Sequence, residues 1–251
     1  MSDAEHPAGH ATGCLVCGAD LAYATHAAPA TCAVCGVEEP SPARCREGHY
    51  VCNACHSGSA ADVIERACRE HRGADPVALA TALMRHPAVK MHGPEHHFLV
   101  PATLLATWAS AAEAGASGAR VDRAALLAEA RLRAGTVVGG SCGFHGACGS
   151  GVGVGIFASL ATGSTPRSRE SWGRVNQATG RALEVIGGVG GPRCCKRTTW
   201  LALLTGVRFA REELGVRLGG RGPRCEFHRR NDDCLERECP FYAAEGSFGP
   251  I

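Results

Sequence analysis

Four ligand pairs crowd the stretch from residue 14 to residue 56. They are Cys14 with Cys17, Cys32 with Cys35, Cys45 with His49, and Cys52 with Cys55, followed directly by His56. Two ligands held two residues apart sit on one tight turn, and a second such pair further along can close a tetrahedral site. Thiolate and imidazole donors suit Zn²⁺. The turns at Cys14 and Cys32 both read CxxCG, and glycine there lets backbone amides approach the sulfur. Four pairs provide for two zinc ions. In a cross-braced module Cys14/Cys17 would join Cys45/His49, and Cys32/Cys35 would join Cys52/Cys55. In a simple ribbon the first two pairs would share one ion and the remainder would form a second site. The spacing fits both topologies. Residues 1–57 therefore read as a structural metal module, because a closed four-ligand site keeps no open position for chemistry.

The other cysteines extend the argument to the whole chain. Fifteen cysteines in 251 residues, behind an N-terminus (MSDAEHPAGH) without a signal-like apolar core, point to a cytoplasmic protein whose thiols bind metals or react. An odd count also excludes a fully paired intrachain disulfide set. No apolar run reaches the about 18 residues a membrane span needs. A formal net charge of +2 gives no electrostatic ground for nucleic acid or membrane surfaces. A DNA-reading zinc-finger role draws no support, since the module lacks a basic, aromatic-interleaved surface.

From residue 58 onward the pattern is helical. SGSAADVIERACREHRG puts Ala61, Ile64, Ala67 and Cys68 on one stripe, with Ser57 or Ser59 as cap and Gly73 as stop. Cys68 thus reads as a core residue. DPVALATALMRHP follows, with Asp75 capping and Pro76 in the first turn. Further helices are expected over about Val100–Ala114 and in VDRAALLAEARLRAG. The fold class is mainly α: a small zinc-binding module, then an all-helical, cysteine-rich domain over 58–251.

Chemistry-bearing residues gather at three places in that domain. KMHGPEHHFLVP sets His92, His96, His97 and Glu95 around a Gly93-Pro94 turn; His92 or Glu95 could act as acid or base. GGSCGFHGACGSGVGVGIF places Cys142, His145 and Cys148 before a helix expected to begin near Gly149–Gly151, where amides and dipole favour a thiolate. A phosphate cradle is the rival for so glycine-rich a stretch, but the Gly-Lys-Ser/Thr signature and the strand feeding it are missing. Lastly, GGVGGPRCCKRTT opens another helix with Cys194 and Cys195 beside Lys196, and the tail adds Cys225, Cys234 and Cys239. Three cysteines ending in Cys239-Pro240 suit a cluster, or a zinc that borrows a fourth ligand such as His228.

Across its length, from CLVCG through MHGPEHH, SCGFHGACG and GGPRCCKRTT to CPFY, the chain resembles an uncharacterised prokaryotic family of cysteine-rich proteins known as a domain of unknown function. Locally, Gly140-Ser141-Cys142 with its glycine-rich helix and Gly190-Gly191-Pro192-Arg193-Cys194-Cys195 resemble the cluster-binding half of iron–sulfur L-serine dehydratases. That likeness implies Cys142 and Cys195 as ligands of a [4Fe–4S] cluster with one iron open as Lewis acid. The family's middle cysteine has no counterpart between Cys148 and Cys194, so one of those two would take its place.

The expectation is a metal-dependent, iron–sulfur enzyme of lyase or desulfidase type acting on a small polar substrate. In this reading Cys142, Cys148 and Cys195 are ligands, and His145, His92 or Glu95 exchange protons. Arg193, Lys196 or Arg197 hold a substrate carboxylate. The alternative is an accessory protein that hands metal or sulfur to a client metalloprotein through Cys194-Cys195 and the tail cysteines. A homodimer is compatible with either.

Overall fold

A computed structural model describes residues 14, 16–17, 19, 21–52, 59–114, 121–220 and 222–243. The N-terminal part is a two-stranded antiparallel sheet of β1 (Leu21–Thr31) and β2 (Glu38–Cys45). Leu21 pairs with Cys45 and Thr31 with Glu38, with a bulge in β1 between Tyr23 and Ala28. The two ends of this hairpin carry the ligand turns. At one, the Cys32 amide bonds the Val37 carbonyl at 2.8 Å; at the other, the Cys45 amide bonds the His49 carbonyl at 3.0 Å. Gly36 and Gly48 close these turns at φ +73° and +83°, a conformation that disfavours other residues.

Eight helices follow among the described residues. They are α1 (Ala60–Glu70), α2 (Pro76–Met84), α3 (Glu95–Ala114), α4 (Arg123–Gly135), the single turn α5 (Ser141–Phe144), α6 (Gly149–Thr162), α7 (Glu170–Val189) and α8 (Cys195–Glu213). The sequence signals for their starts hold. Ser59 and Asp62 form a reciprocal capping box on α1, and Asp75 caps α2 ahead of Pro76. α3 begins at Glu95, a turn and a half earlier than expected, because the Gly93-Pro94 turn itself starts the helix, its carbonyls accepting from the His96 and His97 amides at 3.4 and 2.9 Å.

α3 is the axis of the core. It is apolar all round and packs against α1, α2, α4, α6 and α8. Its buried hydroxyls return their bonds to their own helix, as Thr107 Oγ1 does to the Thr103 carbonyl at 2.8 Å. Cys68 is fully buried in this core, and burial pushes its thiol well above the ordinary range, as its stripe position implied.

α6 lies between α3 and α7, and its alternating glycines make that fit. A Cβ on Gly149 would strike the His97 ring, and one on Gly153 would lie 2.9 Å from Pro101 Cδ, both on α3. A Cβ on Gly151 would lie 2.7 Å from Leu183 Cδ2, and one on Gly155 would meet Thr179, both on α7. Residues four apart share a helix face, so the run GxGxGxG writes one bare row toward each neighbour. This close approach explains why glycine, costing about 1 kcal/mol in helix propensity, is kept at these sites.

Candidate functional site

The N-terminal ligands come together in two groups. Cys14, Cys17, Cys45 and His49 place one donor atom each within 4.8 Å of all the others, and so do Cys32, Cys35 and Cys52. Cys17 and Cys45 sulfurs stand 3.9 Å apart, and His49 Nδ1 lies 3.3 Å from Cys45 Sγ. In the second group Cys35 and Cys52 sulfurs are 3.7 Å apart. A tetrahedral ion with metal–sulfur bonds of about 2.3 Å sets neighbouring sulfurs about 3.8 Å apart, so both donor sets fit a metal such as zinc. The grouping is the cross-braced one: the first pair meets the third, and the second meets the fourth. Cys55, expected to complete the second set, lies outside the described residues.

Backbone amides already reach these sulfurs. Val16 N–H donates to Cys14 Sγ at 3.4 Å, His49 N–H to Cys45 Sγ at 3.2 Å and Cys52 N–H to Cys32 Sγ at 3.4 Å. Burial pushes the Cys32 thiol up, but the amides of Cys35, Cys52 and Val34 outweigh it and bring it down to about 7.

The helical part contributes a cavity of about 590 Å³. Three starts of helical structure surround it. Cys142 comes from α5, Cys148 is the residue capping α6, and Cys195 is the first residue of α8. Two histidines reach the same wall. His97 bonds the Val137 carbonyl through Nδ1 at 3.1 Å, which requires the proton on Nδ1 and leaves the Nε2 lone pair free. Burial lowers its pKa, keeping the ring neutral. His92 bonds Asn231 Oδ1 through Nε2 at 3.1 Å, and its buried Nδ1 has no partner. Arg193 and Arg197 supply positive charge to the lining. The Cys195 thiol is raised by burial, an effect the Gly93 amide and Arg193 oppose and Cys148 and Cys194 reinforce.

Other sequence candidates lie elsewhere. His145 is exposed and outside the cavity lining. Glu95 turns back over the start of α3 and accepts the Lys90 amide at 2.8 Å. Lys196 points away from the cavity, donating to the Val89 and Met84 carbonyls at 2.9 and 3.2 Å with its ammonium over the Phe227 ring. Burial brings its pKa down to about 8. Cys194, Cys225, Cys234 and Cys239 line a separate, much smaller cavity together with His228. Sequence reasoning gave His97 no role, although starting α3 at Glu95 puts it on a different face from His96 and aims it at α6.

Residues 64–242 match the Family of unknown function (DUF5714). The chain belongs to this family. The DUF5714 match begins within α1 and runs through the tail cysteines, so it takes in the cavity and leaves out the N-terminal metal groups. No curated protein and no solved structure matches the chain. The local likeness to iron–sulfur serine dehydratases is accordingly unsupported by any relative. Among the described residues no helix is long and apolar enough to cross a membrane.

Proposed function

We propose that the large cavity is the active site of a metal-dependent enzyme of lyase or desulfidase type, with an iron–sulfur cluster on Cys142, Cys148 and Cys195. The N-terminal groups would hold two structural zinc ions. One observation carries the reading: three thiols from three separate helix starts line one cavity together with two histidines and two arginines. Three protein ligands leave one iron of such a cluster open, and that iron would supply Lewis acidity toward a substrate's leaving group.

The chain's own groups divide the remaining work. Arg193 faces the cavity and suits a substrate carboxylate. Its partner Arg197 is 2% exposed and donates to the Gly190 and Pro192 carbonyls at 2.7 Å, which fixes the turn before Cys194. The free nitrogens of His97 and His92 are the available bases. One takes the α-proton of a β-substituted acid; the freed electron pair forms the C=C bond as hydroxide or hydrosulfide leaves and is protonated. The runner-up, an accessory protein relaying metal or sulfur, needs an accessible vicinal pair. Cys194 is 8% exposed and Cys195 is half-buried, which favours the enzyme.

The test is iron and acid-labile sulfide analysis of protein prepared without oxygen, followed by assay of β-hydroxy and β-thiol amino acids for 2-oxo acid and sulfide release. Iron that is lost in Cys142→Ser and Cys148→Ser, together with turnover abolished in both, is the expected result. A preparation with neither iron nor sulfide ends the proposal.

A further inference from the structure

Apart from the core residue Cys68, the cysteines of the helical part divide between two cavities. Cys142, Cys148 and Cys195 line the large one, while Cys194, Cys225, Cys234 and Cys239 line a second of about 10 Å³. We infer that the second is a structural site for a single zinc ion held by these four thiols, with Cys194 tying the tail to the start of α8. This site is independent of the proposed activity.

Four thiols around a hollow of this size specify one ion. The space is close to that of one water-sized sphere, which admits a mononuclear site and nothing larger. No three of these sulfurs meet the 4.8 Å spacing of the N-terminal groups. That follows from the hollow itself: a sulfur resting on a water-sized sphere stands about 3.2 Å from its centre. Zinc–sulfur bonds are about 2.3 Å, so each thiol closes by about 1 Å to bind. The tail can supply that movement. From Gly222 to Ala243 it forms only two single turns, His228–Arg230 and Glu236–Glu238, and one isolated bridge, Cys225 with Tyr242.

So irregular a segment needs a cross-link, and bound metal serves small folds in that way. Trp200 of α8, against which Phe227 and Phe241 pack at ring distances of 5.9 and 5.3 Å, walls the hollow on one side. Two of the thiols already sit in turns like one in the N-terminal module. Phe227 N–H donates to Cys225 Sγ at 3.4 Å and Glu236 N–H to Cys234 Sγ at 3.3 Å, the amide two residues on in each case. Val16 makes the same bond to Cys14, inside a group whose donor geometry fits a metal. Such bonds from the surrounding shell orient a ligand atom.

Charge points the same way. Arg197 lines both cavities, is 2% exposed, and leaves its Nε without a hydrogen-bond partner. Its other bonds run to the Gly190 and Pro192 carbonyls, which are neutral. A guanidinium so buried calls for an anion, and zinc on four thiolates is a net dianion. His228, the fourth donor that the sequence offered, turns Nδ1 toward the Cys225 carbonyl at 3.4 Å and packs edge-on against Tyr242. Cys194 completes the set instead. With four protein ligands the ion keeps no open position and binds no substrate.

The experiment counts metal in full-length protein purified without oxygen. It starts from Cys142→Ser/Cys148→Ser, which removes two thiols of the proposed catalytic cluster. Adding Cys225→Ser/Cys239→Ser should lower zinc by about one ion per chain, with acid-labile sulfide unchanged. Adding Cys195→Ser instead should leave zinc as it was. Should the tail variant fail to fold, cadmium exchange decides. With Cys32→Ser/Cys35→Ser added to the same starting protein, one resonance typical of four sulfurs should remain beside that of the Cys14/Cys17/Cys45/His49 group. Zinc unchanged in a folded tail variant, sulfide lost along with the metal, or no four-sulfur resonance overturns the inference. A second resonance of three sulfurs and a nitrogen would give the fourth position to His228 and overturn the ligand set. Wild-type protein without iron ends the proposed function and leaves this zinc site standing.

Discussion

His92 Nε2 and Asn231 Oδ1 stand 3.1 Å apart, and this bond joins the wall of the large cavity to the wall of the small one. Asn231 is buried, and it fixes the His92 proton on Nε2 so that Nδ1 remains a base. Replacing Asn231 with leucine leaves the ring with no hydrogen bond on either nitrogen. A buried polar group so orphaned costs about 1–3 kcal/mol. Urea unfolding of Asn231→Leu, His92→Phe and the double variant checks this. The expected double-variant loss is smaller than the sum of the single losses; simple additivity would show that the bond contributes nothing.

The cross-braced grouping makes a prediction about metals. After exchange into cadmium, the Cys14/Cys17/Cys45/His49 group should give one resonance typical of three sulfurs and a nitrogen. Cys14→Ser and Cys45→Ser should both remove that resonance, because the pairing of β1 with β2, Leu21 opposite Cys45, folds the two turns together. Cys32→Ser should spare it and abolish the other. A ribbon pairing would instead have Cys14→Ser and Cys32→Ser strike the same signal.

Much of this was legible where the signal is local. The Ser59 and Asp75 caps, the helix start at Gly149, and the ligand pairs all follow from residues within one turn of each other. What was not legible depends on direction or on distant partners. Cys194, Cys195 and Lys196 are consecutive, yet at about 100° per residue they face the small cavity, the large cavity and the Met84–Val89 carbonyls. Periodicity gives a helix start but not its rotation, so a basic residue beside two cysteines reads equally as ligand-facing. The ligand pairing likewise waited on the bulged register of β1 against β2, which spacing does not encode.

The glycine rows of α6 predict a graded series. On Gly153 a Cβ would press on Pro101 Cδ at 2.9 Å, Val100 Cβ at 3.0 Å and the His97 carbonyl at 3.2 Å, none of which can swing aside. Overpacking of this kind costs about 1–3 kcal/mol, more than the helix propensity alanine restores. On Gly151 the obstacle is the end of the Leu183 side chain, which can rotate, so Gly151→Ala should cost less. Gly187 in α7 meets nothing within 4 Å, and Gly187→Ala should stabilise by about 0.5–1 kcal/mol. Denaturant midpoints in the order Gly187→Ala, wild type, Gly151→Ala, Gly153→Ala are expected; a reversal of the last two would contradict the packing.

His96 makes stability depend on acid. Burial, helped by the charge of Lys196, brings its pKa down to about 3, even though Nδ1 bonds the Gly93 carbonyl and Glu95 lies 3.8 Å away. The ring is therefore neutral in the folded chain and titrates near its ordinary value of about 6.5 in the unfolded one. Between these values the unfolded state binds more protons, so stability is full above about 6.5 and falls as pH drops toward 3, with a slope approaching about 1.4 kcal/mol per pH unit. Metal ligands also take up protons in this range, but they are common to wild type and His96→Gln. Urea unfolding of both from neutral to mildly acidic pH should show the wild type losing stability more steeply, and equal slopes would mean that His96 is charged in the fold.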